Sequence, residues 1–179
     1  MGSIKLDGST LSSTEIQLVS NGEKVEAATD AMLKVEASRR VVERILSGGE
    51  TVYGINTGFG ALVSESISTK DLAELQVNLI RSHACAIGKP MSIQDTRAMM
   101  CVRANSLLKG NSGIQKSVIE QIILYLNEDI IPVVPRIGSL GASGDLAPLS
   151  HMALSLIGEG EVWGENGPVK TSEMLKKKG

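Results

Sequence analysis

Aromatic residues are scarce in this chain of 179 residues, because Tyr53, Phe59, Tyr125 and Trp163 are the only four. Proteins that bind single-stranded nucleic acid stack its bases on aromatic side chains, so this scarcity argues against such binding. The charge balance points the same way. Lys and Arg number 18 against 20 Asp and Glu, a net charge of −2, whereas generic binding to nucleic acid or an anionic membrane needs a basic excess. We therefore expect neither as a partner.

Long apolar runs and a disulfide framework are also missing. The most apolar stretch, residues 119–137, is interrupted by four charged residues. A membrane span needs a continuous apolar run of about this length. The N-terminus lacks the apolar segment of a signal peptide. The two cysteines are too few for a disulfide framework and fit a reducing compartment. Together these absences predict a cytoplasmic protein.

The common motifs for nucleotides, metals and serine nucleophiles are absent as well. No phosphate-binding loop or dinucleotide fingerprint is complete. Ser143 lacks the glycine two positions later that a nucleophile elbow requires, because Asp145 stands there. A zinc site could be imagined from His83, Cys85 and Cys101, but the chain has no C-x-x-C pair and no evident fourth ligand. We expect no metal site.

Apolar residues recur at helical spacing in five segments. This spacing is typical of amphipathic helices, and glycine or proline follows several of the segments as a stop signal. The predicted helices cover residues 23–46, 69–86, 92–108, 114–126 and 146–157. A further short helix is predicted from Thr171. The chain is therefore expected to be mainly α.

Residues 132–144 break the helical pattern. Pro132 and Pro135 interrupt a helix, and glycine then recurs at every third position up to Gly144. A flexible linker is the ordinary interpretation of such a Gly/Ser stretch. That interpretation is weakened here, because an Ala-Ser-Gly-Asp sequence runs directly into an apolar helix. Further on, a small β-hairpin is predicted near residues 160–170 around a Gly-Glu-Asn-Gly turn.

The triplet Ala142-Ser143-Gly144 resembles the prosthetic-group triplet of the aromatic amino acid ammonia-lyase and aminomutase family. In that family the triplet cyclises by itself into an electrophilic methylidene-imidazolone, so the resemblance implies this group and no external cofactor. The residue types suit the chemistry. The glycine amide nitrogen must reach the alanine carbonyl, and the serine hydroxyl leaves as water. Asp145 is implied as the proton donor or acceptor, at the start of a helix whose dipole favours negative charge on the group.

Three further blocks resemble the same family, and the resemblance covers nearly the whole chain from about Leu6. The first is residues 53–60, in which Tyr53 is implied as the base that removes the β-proton. An unperturbed phenol, with a pKa near 10, is a poor base at neutral pH, so this role requires a lowered pKa. The second is Ser82-His83-Ala84, and the third is residues 103–113, a helix-loop-helix before the prosthetic loop.

Ser82 and His83 are implied as the substrate-binding pair. On helical spacing alone His83 would be a packing residue, since it follows Leu72, Leu75 and Leu79 on one helix face. Within the family, however, a Ser-His pair is typical of the histidine-specific members, whereas His-Leu or Phe-Leu is usual in the tyrosine and phenylalanine enzymes. The resemblance thus implies elimination of ammonia from L-histidine to give urocanate. Tyrosine or phenylalanine ammonia-lyase and 2,3-aminomutase remain as alternatives.

Family members are far longer, so residues 1–179 are interpreted as the N-terminal, prosthetic-group-bearing portion of an ammonia-lyase. The implied fold is the N-terminal helical domain of the fumarase/aspartase-like ammonia-lyase fold. The central helical bundle and the C-terminal part would be absent. The full-length relatives are implied to be homotetramers with sites shared between subunits. We therefore expect this portion alone to be inactive, and the further alternative is an inactive fragment or helical subunit that needs a partner chain.

Overall fold

The computed structural model describes residues 2–49, 51, 52, 54–57, 69–139, 144 and 146–179. Before residue 50 the chain forms two short strands, each followed by a helix. These elements are β1 (Ile4–Leu6), α1 (Ser13–Ser20), β2 (Val25–Ala27) and α2 (Thr29–Gly48). The two strands pair in parallel, with Ile4 opposite Val25 and Leu6 opposite Ala27.

The predicted helix over 23–46 is wrong at its start. Val25 lies in β2, and α2 begins only at Thr29. Val25 and Ala28 still point into the core, but the pairing with β1 satisfies the backbone groups that an earlier helical turn would have satisfied. The glycine stop is confirmed, because α2 ends at Gly48 and Gly49 adopts the left-handed conformation (φ 73°) that suits glycine.

From residue 69 onward, helices alternate with short strands. The elements are α3 (Thr69–His83), β3 (Ile87–Pro90), α4 (Ile93–Leu107), α5 (Lys116–Asn127), β4 (Pro135–Ile137), α6 (Leu146–Leu156), β5 (Glu161–Gly164), β6 (Gly167–Lys170) and α7 (Thr171–Lys178). The β5–β6 hairpin confirms the prediction near residues 160–170, with Val162 opposite Val169. The chain is mainly helical, as expected.

The segment after α3 differs from its prediction. The sequence predicts a helix to residue 86 and a break at Gly88, but α3 ends at His83 and β3 follows. β3 pairs antiparallel with β4 through Ile87 and Ile137. A strand forms here because β4 offers it a partner 50 residues further along the chain, which helical periodicity cannot reveal.

The core lies where α1, α4 and α5 pack together and against the parallel strand pair. Its largest fully buried side chains include Leu6, Met100, Leu108, Ile119 and Tyr125. The Tyr125 hydroxyl donates to the Ser155 carbonyl oxygen at 2.8 Å, which connects α5 to α6. Among the residues that the structure describes, no helix is long and apolar enough to cross a membrane.

Candidate active site

The entrance to the predicted prosthetic loop is tied to the segment that follows Ser82 and His83. Ile87 in β3 pairs with Ile137 in β4, and Ile137 directly precedes the glycine-rich loop. Backbone hydrogen bonds therefore hold the exit from α3 against the strand that leads into the loop. The sheet thus joins the segment after the Ser82-His83-Ala84 block to the strand that precedes the glycine-rich loop.

Gly138 is the point of closest approach between three segments. A Cβ atom placed on Gly138 would lie 2.7 Å from Ala86 Cβ and 2.8 Å from Ala147 Cβ. Both distances are too short for carbon atoms in contact, so only glycine fits between Ala86 and the first turn of α6. Sequence reasoning treated Gly138 only as part of a helix-breaking repeat and missed this packing role. The small residues at all three positions were the available signal.

Helices α3 and α6 run side by side in opposite directions. The Arg81 guanidinium binds the Glu159 carboxylate, with Nε 3.0 Å from Oε2, and this pair lies beyond the C-terminal end of α6. Five residues after Arg81, the Ala86 amide donates to His151 Nε2 within α6 at 3.2 Å. Arg81 thus contacts a residue beyond the end of α6, whereas Ala86 contacts a residue within α6. The exit from α3 therefore lies nearer to the N-terminal end of α6, where the loop ends.

The hydrogen bond to Ala86 requires that His151 be neutral at Nε2, because only the unprotonated nitrogen accepts. Burial lowers the pKa of His151 and so favours this neutral form. The contact with Ala86 gives His151 a structural role between α6 and the exit from α3.

Ser82 and His83 are oriented by the backbone of their own helix. His83 Nδ1 lies 2.8 Å from the Leu79 carbonyl oxygen, and since a carbonyl only accepts, Nδ1 carries the proton. Ser82 Oγ donates to the same carbonyl at 3.0 Å and lies 3.1 Å from Nδ1. In the neutral ring, Nε2 then holds the lone pair. His83 is half-buried rather than a core residue, and Ser82 is exposed.

Gly144, at the end of the loop, has a backbone conformation that favours glycine. Gly144 has a φ of +75° and is exposed, and no heavy atom of the described residues lies within 4 Å of where a Cβ would stand. A side chain at Gly144 would be conformationally strained because of this positive φ. Helix α6 begins at Leu146, so the partial positive charge of its N-terminus lies at the end of the loop.

Two buried polar side chains secure the turn around position 53. The Val52 amide donates to Asn56 Oδ1 at 2.8 Å, and the Gly54 amide donates to Thr57 Oγ1 at 3.3 Å. Both Asn56 and Thr57 are buried. Sequence reasoning did not single them out as positioning residues, although Asn and Thr commonly bond to nearby backbone in glycine-rich turns.

The block at residues 103–113 owes its glycines to close packing against α2. A Cβ on Gly110 would lie 2.7 Å from Lys34 Cβ, and one on Gly113 would lie 2.4 Å from Val42 Cγ2. Both glycines also have positive φ angles. The block at residues 103–113 therefore packs closely against α2.

Several predicted site residues lie outside the described residues: Tyr53, Ala142, Ser143 and Asp145. Ser82, His83 and Gly144 are described. Within the described part of the chain, no group of three or more His, Cys, Asp or Glu side chains could hold a metal ion. Cys101 is buried, which raises the pKa of its thiol to about 11, and Cys85 is exposed. Both cysteines are free thiols.

Solved structures with this fold belong to ammonia-lyases, aminomutases and related enzymes. Tyrosine aminomutase from Streptomyces globisporus superposes with a TM-score of 0.90 at 34% identity, over 98% of this chain and 33% of its own. Histidine ammonia-lyase from Trypanosoma cruzi gives a TM-score of 0.88, also at 34% identity, over 98% of this chain and 34% of its own. The family model described as aromatic amino acid lyase matches residues 11–179. The chain belongs to the aromatic amino acid lyase family.

Among its curated relatives, the chain is about half identical to two histidine ammonia-lyases. The chain is 49% identical over 174 residues to histidine ammonia-lyase of Bacillus velezensis, a match covering 97% of this chain and 34% of the relative. Histidine ammonia-lyase of Geobacillus thermodenitrificans is 52% identical over 160 residues, 89% of this chain and 32% of its own. The chain thus spans about a third of the length of the curated relatives it matches.

Proposed function

We propose that this chain is the prosthetic-group-bearing portion of an ammonia-lyase that eliminates ammonia from L-histidine to give urocanate. The observation that carries the proposal is the Ser82-His83 pair at the end of α3, in a chain about half identical to histidine ammonia-lyases. The β3–β4 sheet joins the segment after this pair to the strand that leads into the Ala142-Ser143-Gly144 loop. A substrate-binding segment and an electrophilic loop would therefore share one site.

The described flanks of the loop fit a methylidene-imidazolone formed from Ala142, Ser143 and Gly144. Gly144 has a backbone that glycine adopts without strain, and α6 places its positive end at the loop exit. When formed, the group supplies an electrophilic carbon that takes up the substrate amino group and makes it a better leaving group. Asp145 would transfer a proton as the Ser143 hydroxyl leaves as water. No external cofactor is required.

The side chains of this chain would bind the substrate and move its proton. With Nδ1 bonded to Leu79, the Nε2 lone pair of His83 is suited to accept an N–H of the substrate imidazole. Tyr53 would take the proton from the substrate β-carbon, and the C–H electrons form the double bond as ammonia departs. The buried Asn56 and Thr57 support this role by fixing the backbone on either side of position 53.

We further propose that the active protein is a cytoplasmic homotetramer with a small amino acid as its substrate. Two free thiols suit a reducing compartment. Because the chain spans about a third of its relatives, the remaining groups of the site would come from the part of the fold that lies beyond the match. The portion bearing the loop is expected to be inactive by itself.

The test is a substrate assay on a reassembled enzyme. The chain is co-expressed with the part of Bacillus subtilis histidine ammonia-lyase that follows the matched third, called here the complementing segment. Ultraviolet absorbance is monitored with L-histidine, L-tyrosine and L-phenylalanine. We expect urocanate from L-histidine only, and no turnover after Ser143→Ala. Turnover of only the other two amino acids would refute the histidine assignment.

A second candidate is an aminomutase, because tyrosine aminomutase structures share the fold at TM-scores up to 0.92. An aminomutase returns ammonia to the β-carbon, so chromatography of the products would show a β-amino acid. A protein that assembles with the complementing segment yet turns over none of the three substrates would instead support the inactive-subunit alternative.

A further inference from the structure

Two isoleucines form an exposed apolar patch on the sheet that leads into the prosthetic loop. Ile87 is 67% exposed and Ile137 is 64% exposed. They are directly opposite each other in the antiparallel β3–β4 pair, so their side chains stand on the same face. We call this pair the isoleucine patch. Leu146, eight residues after Gly138 and next to Ala147, is half exposed as well.

The backbone behind this patch is already packed. Gly138, which follows Ile137, fits against Ala86 and Ala147 with no room for a Cβ. The sheet is therefore held to α6 through small residues, while its isoleucines face outward. A two-stranded sheet is at best marginally stable in water by itself. Single exposed aliphatics are ordinary, but these two adjoin each other, and contiguous exposed apolar surface is typical of interaction sites.

The similar solved structures are longer than this chain and so offer a partner for the patch. Structures of longer enzymes superpose on 98–99% of this chain with TM-scores of 0.90 to 0.92, yet only 33–34% of each of those chains is matched. The fold of this third is thus shared with proteins that carry about twice as much additional polypeptide. The patch also lies inside the segment that the family model matches.

We propose that the isoleucine patch is the docking surface for the remaining part of an aromatic amino acid lyase, which contacts it through an aliphatic face. This proposal rests on the proposed function only for the choice of partner. Docking on Ile87 and Ile137 would press on the sheet one residue before Gly138, and so would fix the entrance of the loop. The contact is apolar, so added NaCl should not weaken it, unlike an ion-paired interface.

The experiment measures co-purification of the tagged chain with the complementing segment. The variant carries Ile87→Thr and Ile137→Thr, which remove apolar surface but keep the β-branching that strands favour. A second variant, with Ile87→Val and Ile137→Val, retains an apolar patch. The matched control carries Leu33→Gln and Leu124→Gln, because these leucines on α2 and α5 are also more than half exposed and Gln is a good helix former. Circular dichroism checks that each chain is folded.

We expect the threonine variant to lose co-purification at least about tenfold, because both substitutions remove apolar surface that the docked partner would bury. The valine variant and the leucine control should co-purify like the unaltered chain. Equal recovery of the threonine variant would overturn the proposal, as would equal loss in the leucine control. Failure of the unaltered chain to co-purify, or self-association of the chain through this patch, would also overturn it.

This outcome is separable from that of the proposed function. Co-purification needs no substrate and no prosthetic group, so the Ser143→Ala chain should dock normally while remaining inactive. Docking without turnover would refute the activity and leave the interface standing. Turnover of L-histidine, together with normal co-purification of the threonine variant, would support the activity and refute the interface.

Discussion

Arg97 is a buried charge that joins three parts of the helical core. Its Nε donates to the Val19 carbonyl oxygen at 2.8 Å, and Nη1 donates to the Leu126 carbonyl at 3.0 Å. Nη1 also lies 2.9 Å from Asp129 Oδ1. Val19 and Leu126 lie in the last turns of α1 and α5, where carbonyls lack helical partners, and one side chain on α4 donates to both. The Val19 carbonyl also accepts from the Gly22 amide at 3.1 Å. The ion pair with Asp129, whose side chain is 77% exposed, contributes less than the buried contacts.

Replacing Arg97 by Met should destabilise the protein by about 3 kcal/mol, because the buried carbonyls of Val19 and Leu126 would lose the hydrogen bonds from its guanidinium. Urea denaturation followed by circular dichroism measures this change. Arg136→Met is the matched control, since among the described residues Arg136 makes an exposed pair with Asp95 alone, at 3.5 Å, and its replacement should cost at most about 1 kcal/mol. Equal losses in the two variants would show that the carbonyl contacts of Arg97 contribute nothing.

His151 should make stability depend on pH. Burial lowers its folded-state pKa below the ordinary value of 6.5, so the unfolded chain binds a proton more readily than the folded chain. The contribution of the neutral ring is therefore fully present above pH 6.5 and is lost as the pH falls from 6.5 toward the folded-state pKa. We predict that the melting temperature falls more steeply between about pH 7 and 5 in the unaltered chain than in His151→Gln.

Gln is the suitable replacement because its amide oxygen can still accept from the Ala86 amide but does not titrate. His83 is present in both proteins, so the difference between the two melting curves isolates His151. Parallel curves across this pH range would contradict the assignment of the Ala86 contact to a neutral imidazole.

At the scale of the elements, local signals predicted the helices and long-range partners determined the strands. The sequence predicts a helix over residues 92–108, and α4 runs over Ile93–Leu107 with Ser92 Oγ accepting from the Asp95 amide at 3.0 Å. Capping residues and helical periodicity act within a few positions, so the sequence displays them. Sequence reasoning missed α1, although Ser12 and Glu15 form a capping box there.

The short strands could not be predicted in the same way. β1 and β2 have three residues each and pair across α1, so no alternating pattern is long enough to detect. Where β3 lies, the sequence predicts the end of a helix followed by a break. Local sequence does not reveal the strand, because its partner β4 lies about 50 residues away. The hairpin at residues 161–170 was predictable, since its partner strands are adjacent and its turn has a sequence signature.

Gly138 provides the sharpest test of how β4, α6 and the end of α3 are joined. Gly138→Ala should destabilise the protein by about 1–3 kcal/mol, because its methyl group would overlap with Ala86 and Ala147. Differential scanning calorimetry measures the shift in melting temperature.

Gly48→Ala is the matched control, since Gly48 lies in α2 and no heavy atom of the described residues comes within 4 Å of a Cβ placed there. This control should leave stability unchanged or raise it by about 0.5–1 kcal/mol. A Gly138→Ala protein as stable as the control would mean that the three segments are not packed as closely as described.

At the scale of the whole molecule, the described residues bring together the end of α3, the strand that leads into the loop and the start of α6. The resemblance identified Ser82 and His83 as a pair, but only the structure shows how the Leu79 carbonyl orients them. The roles of Tyr53, Ala142, Ser143, Gly144 and Asp145 stay predictions. They depend on groups that local sequence does not contain.

The central claim is that the Ala142-Ser143-Gly144 loop forms an electrophile once the fold around it is complete. Intact-mass spectrometry of the chain, purified together with the complementing segment, tests it most directly. We predict that the chain is lighter than its sequence mass by two water molecules. The Ser143→Ala chain, which has no hydroxyl to lose, should not show this loss. An assembled protein in which the unaltered chain keeps its full sequence mass would contradict the claim.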